Sequence, residues 1–252
     1  IFNFKSLDYF NQNKMINCHI KFNTGMNRFG FETNQKEKII NFLNQNKNIN
    51  VKTICSHLAD STNESFTKNQ MNSFDFICDY FMKNYHSKIE RHLFNSKATI
   101  KYKYKYELVR LGIGLFGVAN NKGLHQISTM TSVVSQIKII NQGEFVGYGM
   151  NYCSKERVKI GIIPFGYADG IYEKKNSNNY YVFIKNNKYK VIGDISMDSI
   201  IVNLENSKIE EGDKVILFDS SYTIKEIAKS SNISEYEMLS KLNRRIKREY
   251  YS

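Results

Sequence analysis

The rhythm of apolar runs changes once along these 252 residues, near residue 126, and this change limits the fold more than any other feature. Before it, short alternating or apolar stretches give way to helical spacings and back again. Ile16, Cys18, Ile20 and Phe22 alternate like a strand. Gln35 to Gln45 places Ile39, Ile40, Phe42 and Leu43 on one helical face, and Val51 to Cys55 reads as the next strand. Asn63 to Tyr85 carries Met71, Phe74, Cys78 and Phe81 at spacings of three and four, a core-facing helix. Ile89 to Phe94 and Leu108 to Arg110 read as further strands, and Leu7 to Asn17 as a weak helix. Strand, loop and helix in repetition predict parallel βα units, with functional loops at the C-terminal ends of the strands.

After residue 126 the helices disappear. Ser128 to Ile140, Glu144 to Tyr148, Arg157 to Ile163, Tyr180 to Ile184, Tyr189 to Ile192, Ile200 to Leu204 and Lys214 to Phe218 read as successive strands. Two helices, Ile224 to Lys229 and Glu235 to Arg245, close the chain. The stretch from Tyr148 to Asp198 is punctuated by glycines at 147, 149, 166, 170 and 193, where the backbone must bend or be approached closely. A complete (β/α)8 barrel takes about 250 residues. The part before 126 therefore holds about four strand-and-helix units, and half a barrel leaves raw sheet edges. The expected fold is α/β plus β: the C-terminal half of a (β/α)8 TIM-type barrel at 1–126, then a mostly β domain at 127–252.

Composition removes some functions. The net charge is +12, but the 36 Lys and Arg are spread among 24 acidic residues, so no nucleic-acid partner is expected. The Lys/Tyr alternation at 101–105 could stack on single strands and is better read as a solvated segment. Cysteines at 18, 55, 78 and 153 lack C-x-x-C spacing, which argues against a metal site and fits free thiols in a reducing compartment. No apolar run approaches the roughly 18 residues of a membrane span. The expectation is a cytoplasmic protein with no membrane contact.

Seven motifs occur in a telling order: K-F-N-T-G-M-N-R-F-G-F from Lys21, H-L-A-D from His57, F-N-S-K-A around Asn95-Ser96, V-R-L-G-I-G-L-F-G from Val109, G-Y-G at 147–149, I-P-F-G-Y-A-D-G from Ile163 and V-I-G-D-I-S-M-D at 191–198. In this order and spacing the chain resembles bacterial alanine racemases, the fold-type III enzymes that use pyridoxal 5'-phosphate (PLP). The resemblance implies interconversion of L-alanine and D-alanine, which supplies D-alanine for peptidoglycan. It also implies a head-to-tail homodimer with active sites shared across the interface.

Residue by residue, the resemblance assigns Asn95 and Ser96 to the PLP phosphate, with the backbone of Gly112 and Ile113. An N-cap role for this pair is compatible with that one. Arg110 matches the arginine that faces the pyridine nitrogen; a guanidinium does not give up its proton readily, so the ring stays a weaker electron sink. An arginine at a strand end is otherwise usually a surface ion pair. Tyr148 matches the catalytic tyrosine of the L-alanine face, whose pKa of about 10 calls for cationic neighbours, a part that His57 and Arg28 would fill. Arg28 would also hold the substrate carboxylate or the cofactor's phenolic oxygen. Met197 matches a substrate-contacting position and Tyr167 an entrance residue; these two and Tyr148 would reach into the partner's site. Lys21 matches a lysine that some members carbamylate.

Five positions depart from the pattern: Asn23 stands where the family usually has Asp, Gly147 where it has Ser, Leu111 where it has Pro, Arg244 near the place of a phosphate-contacting tyrosine and Lys247 where a proline is common. A larger difference is that no segment like V-K-A-N-A-Y-G-H-G, which carries the family's PLP-binding lysine, occurs in these residues. The first residue is Ile rather than Met. The expectation is therefore an N-terminally truncated chain, inactive by itself for want of that lysine. The alternative is a non-catalytic PLP-binding or dimerisation remnant of the family.

Overall fold

A computed structural model describes residues 1–12, 15–86, 88–102, 105–118, 123–170 and 180–251. The chain divides into two compact units. The first comprises the described residues up to Leu115, and the second Phe116–Val118 with those from 123 onward.

The first unit is built from βα repeats. Helix α1 (Phe4–Asn11) starts at Asn3, whose side chain accepts from the Ser6 amide, and ends earlier than the sequence suggests. Strand β1 (Ile16–Lys21) follows, then α2 (Lys36–Gln45), β2 (Ile49–Cys55), the long α3 (Glu64–Asn84), β3 (Glu90–His92) and α4 (Ser96–Tyr102). The three strands pair in parallel in the order β1-β2-β3. The expected strand at 108–110 reduces to one parallel bridge between Arg110 and Asn95.

One face of this sheet is apolar. Ile20, Phe22 and Ile54 are buried in one cluster with Ile39 and Leu43 of α2 and Phe74, Ile77 and Phe81 of α3. Each such side chain contributes roughly 1.5–3 kcal/mol on burial. The other face is polar. Register places His19 beside Thr53, and Lys21 beside Cys55, which in turn lies beside His92.

The second unit is a curled antiparallel sheet. Its strands are β4 (Met130–Val133), β5 (Gln136–Ile140), β8 (Val158–Ile163), β9 (Tyr181–Ile184), β10 (Asn187–Ile192), β11 (Ile200–Glu205) and β12 (Lys214–Phe218). They lie in the order β4-β12-β9-β10-β11-β8-β5. The run 128–140, read from sequence as one strand, is two strands at opposite ends of that order. Only Val134 and Ser135 separate them, so the sheet must curl until its two ends meet. The Val134 amide donates to Asp213 beside β12, and the Ser135 amide to Ile162 of β8. A small pair, β6 (Phe145–Val146) with β7 (Tyr152–Cys153), stands apart from this sheet. Helices α5 (Ile224–Ser231) and α6 (Glu235–Lys241) follow, opened by the side-chain caps Thr223 and Ser234.

The loop after β1 turns on Gly30, which has φ +135°, and a Cβ there would lie 2.4 Å from the Phe22 carbonyl carbon. No L side chain adopts that backbone readily. Gly30→Ala is expected to cost about 3 kcal/mol in urea unfolding; an unchanged midpoint would contradict this account of the loop.

Candidate functional site

Parallel strands deliver their C-terminal ends to one side of a sheet, and the residues just beyond β2 and β3 gather around Arg110 there. The Arg110 backbone is fixed first, its amide donating to the Phe94 carbonyl at 2.9 Å. Its guanidinium donates to three carbonyls: Ser56 at 2.5 Å, His92 at 3.1 Å and Leu93 at 3.2 Å. It also donates to two imidazoles, Nδ1 of His57 at 2.9 Å and Nδ1 of His92. None of these partners is a carboxylate. The surface ion pair that an arginine in this setting usually forms is therefore not what the fold provides.

The loop bearing His57 is anchored from beneath by the buried Gln70, which donates to the His57 carbonyl at 3.1 Å and accepts from the Ala59 amide at 2.9 Å. Ser56 donates to the Phe22 carbonyl at 2.8 Å and contacts Thr24 Oγ1 at 2.7 Å. These bonds tie the loops after β1 and β2 together.

Charge in this region is one-sided. Burial pushes His57 down to about 4, and Arg110, Arg28 and Lys21 push the same way. Burial, Arg110 and His19 bring His92 to about 4 as well. Burial lowers Lys21, and although Cys55 opposes this, Arg28 and Arg110 add to it. The expected cationic part of His57 is thus corrected: near pH 7 the ring is neutral. Because its Nδ1 accepts from Arg110, its proton sits on Nε2, and it can offer a neutral N–H but no charge.

Arg28 is exposed, on a loop shaped by Asn23. The Asn23 side chain accepts from the amides of Gly25 (3.1 Å) and Asn27 (2.9 Å) and donates to Glu32 at 3.0 Å. An aspartate could make the first two bonds but not the third, so Asn23 suits this loop.

Asn95 and Ser96 divide the work at the start of α4. Asn95 Oδ1 accepts from the Ala98 amide at 3.0 Å, as an N-cap does. Ser96 is only 1% exposed. Its Oγ accepts from the amides of Gly112 at 3.0 Å and Gly114 at 3.1 Å. With its lone pairs so used, the hydroxyl proton is left to donate elsewhere. Ile113, between those glycines, is buried in a short 3-10 turn.

Tyr148, Tyr167 and Met197 belong to the second unit, on turns that the segment 193–198 links. The amides of Tyr167 and Ala168 donate to the carbonyls of Ser196 (3.1 Å) and Met197 (2.9 Å). The approach is so close that a Cβ on Gly166 would lie 2.3 Å from the Ser196 oxygen. Buried Asp169 locks this turn, accepting from the Gly166 amide at 2.9 Å and from Arg245 at 2.6 and 2.8 Å. At the other end of the segment, Asn151, just past the Tyr148 turn, donates to Asp194 at 2.5 Å. Tyr148 is 73% exposed, Met197 56% and Tyr167 49%.

Sequence reasoning missed His92, Thr53 and His19. The signal available was strand alternation, which puts His19 on the same face as Lys21. Among the described residues no group of His, Cys, Asp and Glu could hold a metal ion, and no helix is long and apolar enough to cross a membrane.

Comparison with known proteins gives consistent matches. The family model described as alanine racemase, N-terminal domain, matches residues 3–120, and the one described as alanine racemase, C-terminal domain, matches 127–250. The N-terminal match lends no support to the expected truncation. The alanine racemase of Borreliella burgdorferi (strain ZS7) is 34% identical over 250 residues, covering 95% of this chain and 67% of that protein. That of Helicobacter pylori (strain Shi470) is 32% identical over 278 residues, covering 99% and 73%. Among solved structures, alanine racemase from Clostridium difficile 630 gives a TM-score of 0.86 at 27% identity, covering 97% of this chain and 68% of that one. The enzyme from a D-cycloserine producing Streptomyces lavendulae gives 0.89 at 22% identity, covering 98% and 70%, a likeness of fold.

In an NMR titration His57 and His92 are expected to stay neutral through pH 6.5 and to protonate only near 4. The unfolded chain binds these protons near 6.5. Their contribution to stability is therefore complete above pH 6.5 and is lost as pH falls from there toward 4. Arg110→Gln should move both only part of the way back, because burial is the larger cause. Protonation of either ring near 6.5 in the unaltered chain would contradict the site as described.

Proposed function

The chain belongs to the alanine racemase family, and from that premise we propose that it serves the interconversion of L-alanine and D-alanine, supplying D-alanine for peptidoglycan in the cytoplasm. Proteins of this family use pyridoxal 5'-phosphate. The observation that carries the reading is the setting of Arg110, a guanidinium held by carbonyls and neutral imidazoles with no carboxylate. Such a group can face a ring nitrogen as a fixed donor without passing it a proton.

The residues present fit the cofactor. Lys21, Arg28 and Arg110 form a cationic region: burial lowers Lys21 first, and Arg28 and Arg110 add to that lowering. An anionic ligand relieves that repulsion. The free hydroxyl proton of Ser96 and the backbone around Gly112 and Ile113, at the turn that Asn95 caps, suit a phosphate. When bound, the cofactor supplies the electron sink that makes the α-proton of alanine removable.

The chain's own residues would do the rest. Arg28 binds and orients the substrate carboxylate. Tyr148 takes or returns the proton on the L-alanine face. His57 supports the phenolate through its Nε2–H, as a neutral donor rather than as a cation. Met197 contacts substrate and Tyr167 lines the entrance, both on the clasp that Asp169 and Arg245 hold shut. Tyr148, Tyr167 and Met197 serve the second copy in a head-to-tail homodimer, which accords with the exposure of all three.

Racemisation of L-alanine with added cofactor tests the proposal on the complete reading frame that contains these residues. Tyr148→Phe is expected to lower the rate about 10²–10⁴-fold, and no turnover by the unaltered protein would sink the reading. The 252 residues alone are expected to show no turnover, because none of their lysines stands in a V-K-A-N-A-Y-G-H-G-like segment; a rate equal to that of the complete frame would overturn this.

A further inference from the structure

A second chain of polar groups runs away from Arg110 across the polar face of the β1-β2-β3 sheet. Arg110 donates to His92 Nδ1, His92 Nε2 lies 3.0 Å from Thr53 Oγ1, and Thr53 Oγ1 in turn bonds His19 Nδ1. His92 Nε2 is also 3.4 Å from His19 Nδ1, with the two rings edge to face at 5.3 Å. Thr53 is buried, 2% exposed, while His19 is exposed at the far end.

We propose that His19 and Thr53 are positioning residues that fix the tautomer of His92 and, through it, hold the Arg110 guanidinium in place.

The argument follows the protons. Arg110 can only donate, so His92 Nδ1 must be the acceptor. His92 is neutral, brought to about 4 by burial, Arg110 and His19, so its single proton lies on Nε2. That proton is donated to Thr53 Oγ1. The Thr53 hydroxyl must then donate onward, and its partner is His19 Nδ1. Every proton in the chain points away from Arg110.

The opposite order fails either way. If His19 donated to Thr53, the hydroxyl would either accept from both rings, which leaves its own buried proton without a partner in the series, or donate to His92 Nε2, which moves the His92 proton to Nδ1. In the second case two N–H groups would face each other at Arg110, a buried contact with both donors unsatisfied. His19 therefore acts as an acceptor that keeps the whole series pointing one way.

The bearing on racemisation rests on the part proposed for Arg110, whereas the tautomer can be read without any turnover. Nitrogen-15 NMR of histidine-labelled chain is expected to show His92 with a bare Nδ1 and a protonated Nε2. His19→Ala and Thr53→Val should each replace that signature with averaged tautomers. His19→Gln, which keeps an acceptor, and Thr53→Ser, which keeps the hydroxyl, should restore it. A structural role alone would not separate these pairs. A His92 proton on Nδ1 in the unaltered chain would overturn the proposal, as would an unchanged signature in both His19→Ala and Thr53→Val. Should Thr53→Val fail to fold, the exposed His19 pair decides. In the complete reading frame, a lost signature with an undiminished racemisation rate would count against the part given to Arg110 and leave the relay standing.

Discussion

The guanidinium of Arg110 is held at five points, and the geometry of the first unit depends on that hold. Three of the points are backbone carbonyls just past β2 and within or just past β3, one of which, that of His92, also accepts from the Ser56 amide at 3.3 Å. A cation with several donors in one plane can satisfy them together, which a lysine ammonium on a flexible stem could not do with the same definition. The remaining two points are imidazoles, each of which must keep its Nδ1 bare to accept. One side chain thus adds side-chain bonds across the paired ends of β2 and β3 and constrains the hydrogen-bond polarity around them.

That polarity has a cost, which the site's charge makes visible. Burying a guanidinium without a carboxylate is unfavourable unless carbonyl dipoles compensate. Here they do so in part; burial is the larger cause that lowers Lys21, His57 and His92, and the charge of Arg110 pushes all three the same way. A region so arranged attracts anions and repels further protons, whatever the overall charge of the surface. The +12 of the whole chain, spread among acids, says little about it. In the second unit the economy is reversed: Asp169 is buried against Arg245, and that paired charge secures a backbone clasp between the Tyr167 and Met197 turns.

Periodicity made the elements of both units legible. The α3 stripe of Phe74, Cys78 and Phe81 is buried as its spacing implies, with Met71 partly buried against the same cluster, and the first compact unit gives way to the second after Leu115. Two kinds of information were out of reach. The run 128–140 reads as one strand because nothing in Val134 and Ser135 announces that the chain there crosses between the ends of a curled sheet. The charge of His57 was misread because it follows from burial and from Arg110, Arg28 and Lys21 brought close by folding. The motifs identified Arg110, Ser96 and Gly112 as a group. They could not say that Ser96 uses both lone pairs on the amides of Gly112 and Gly114.

His92 was missed for a related reason. Its strand is three residues long, Glu90–His92, too short to show alternation by itself. Only pairing with Cys55 reveals which face it takes. Strands of a parallel sheet covered on both sides read as continuous apolar runs, and β1 and β2 do not: His19, Lys21, Thr53 and Cys55 interrupt them on one face. A fold that needed only stability would fill such a face with valine and isoleucine. Retaining two histidines, a lysine and a threonine there costs desolvation that their mutual bonds merely offset. The face is therefore arranged for where its protons sit rather than for packing, and Arg110 at its edge is the group to which that arrangement answers.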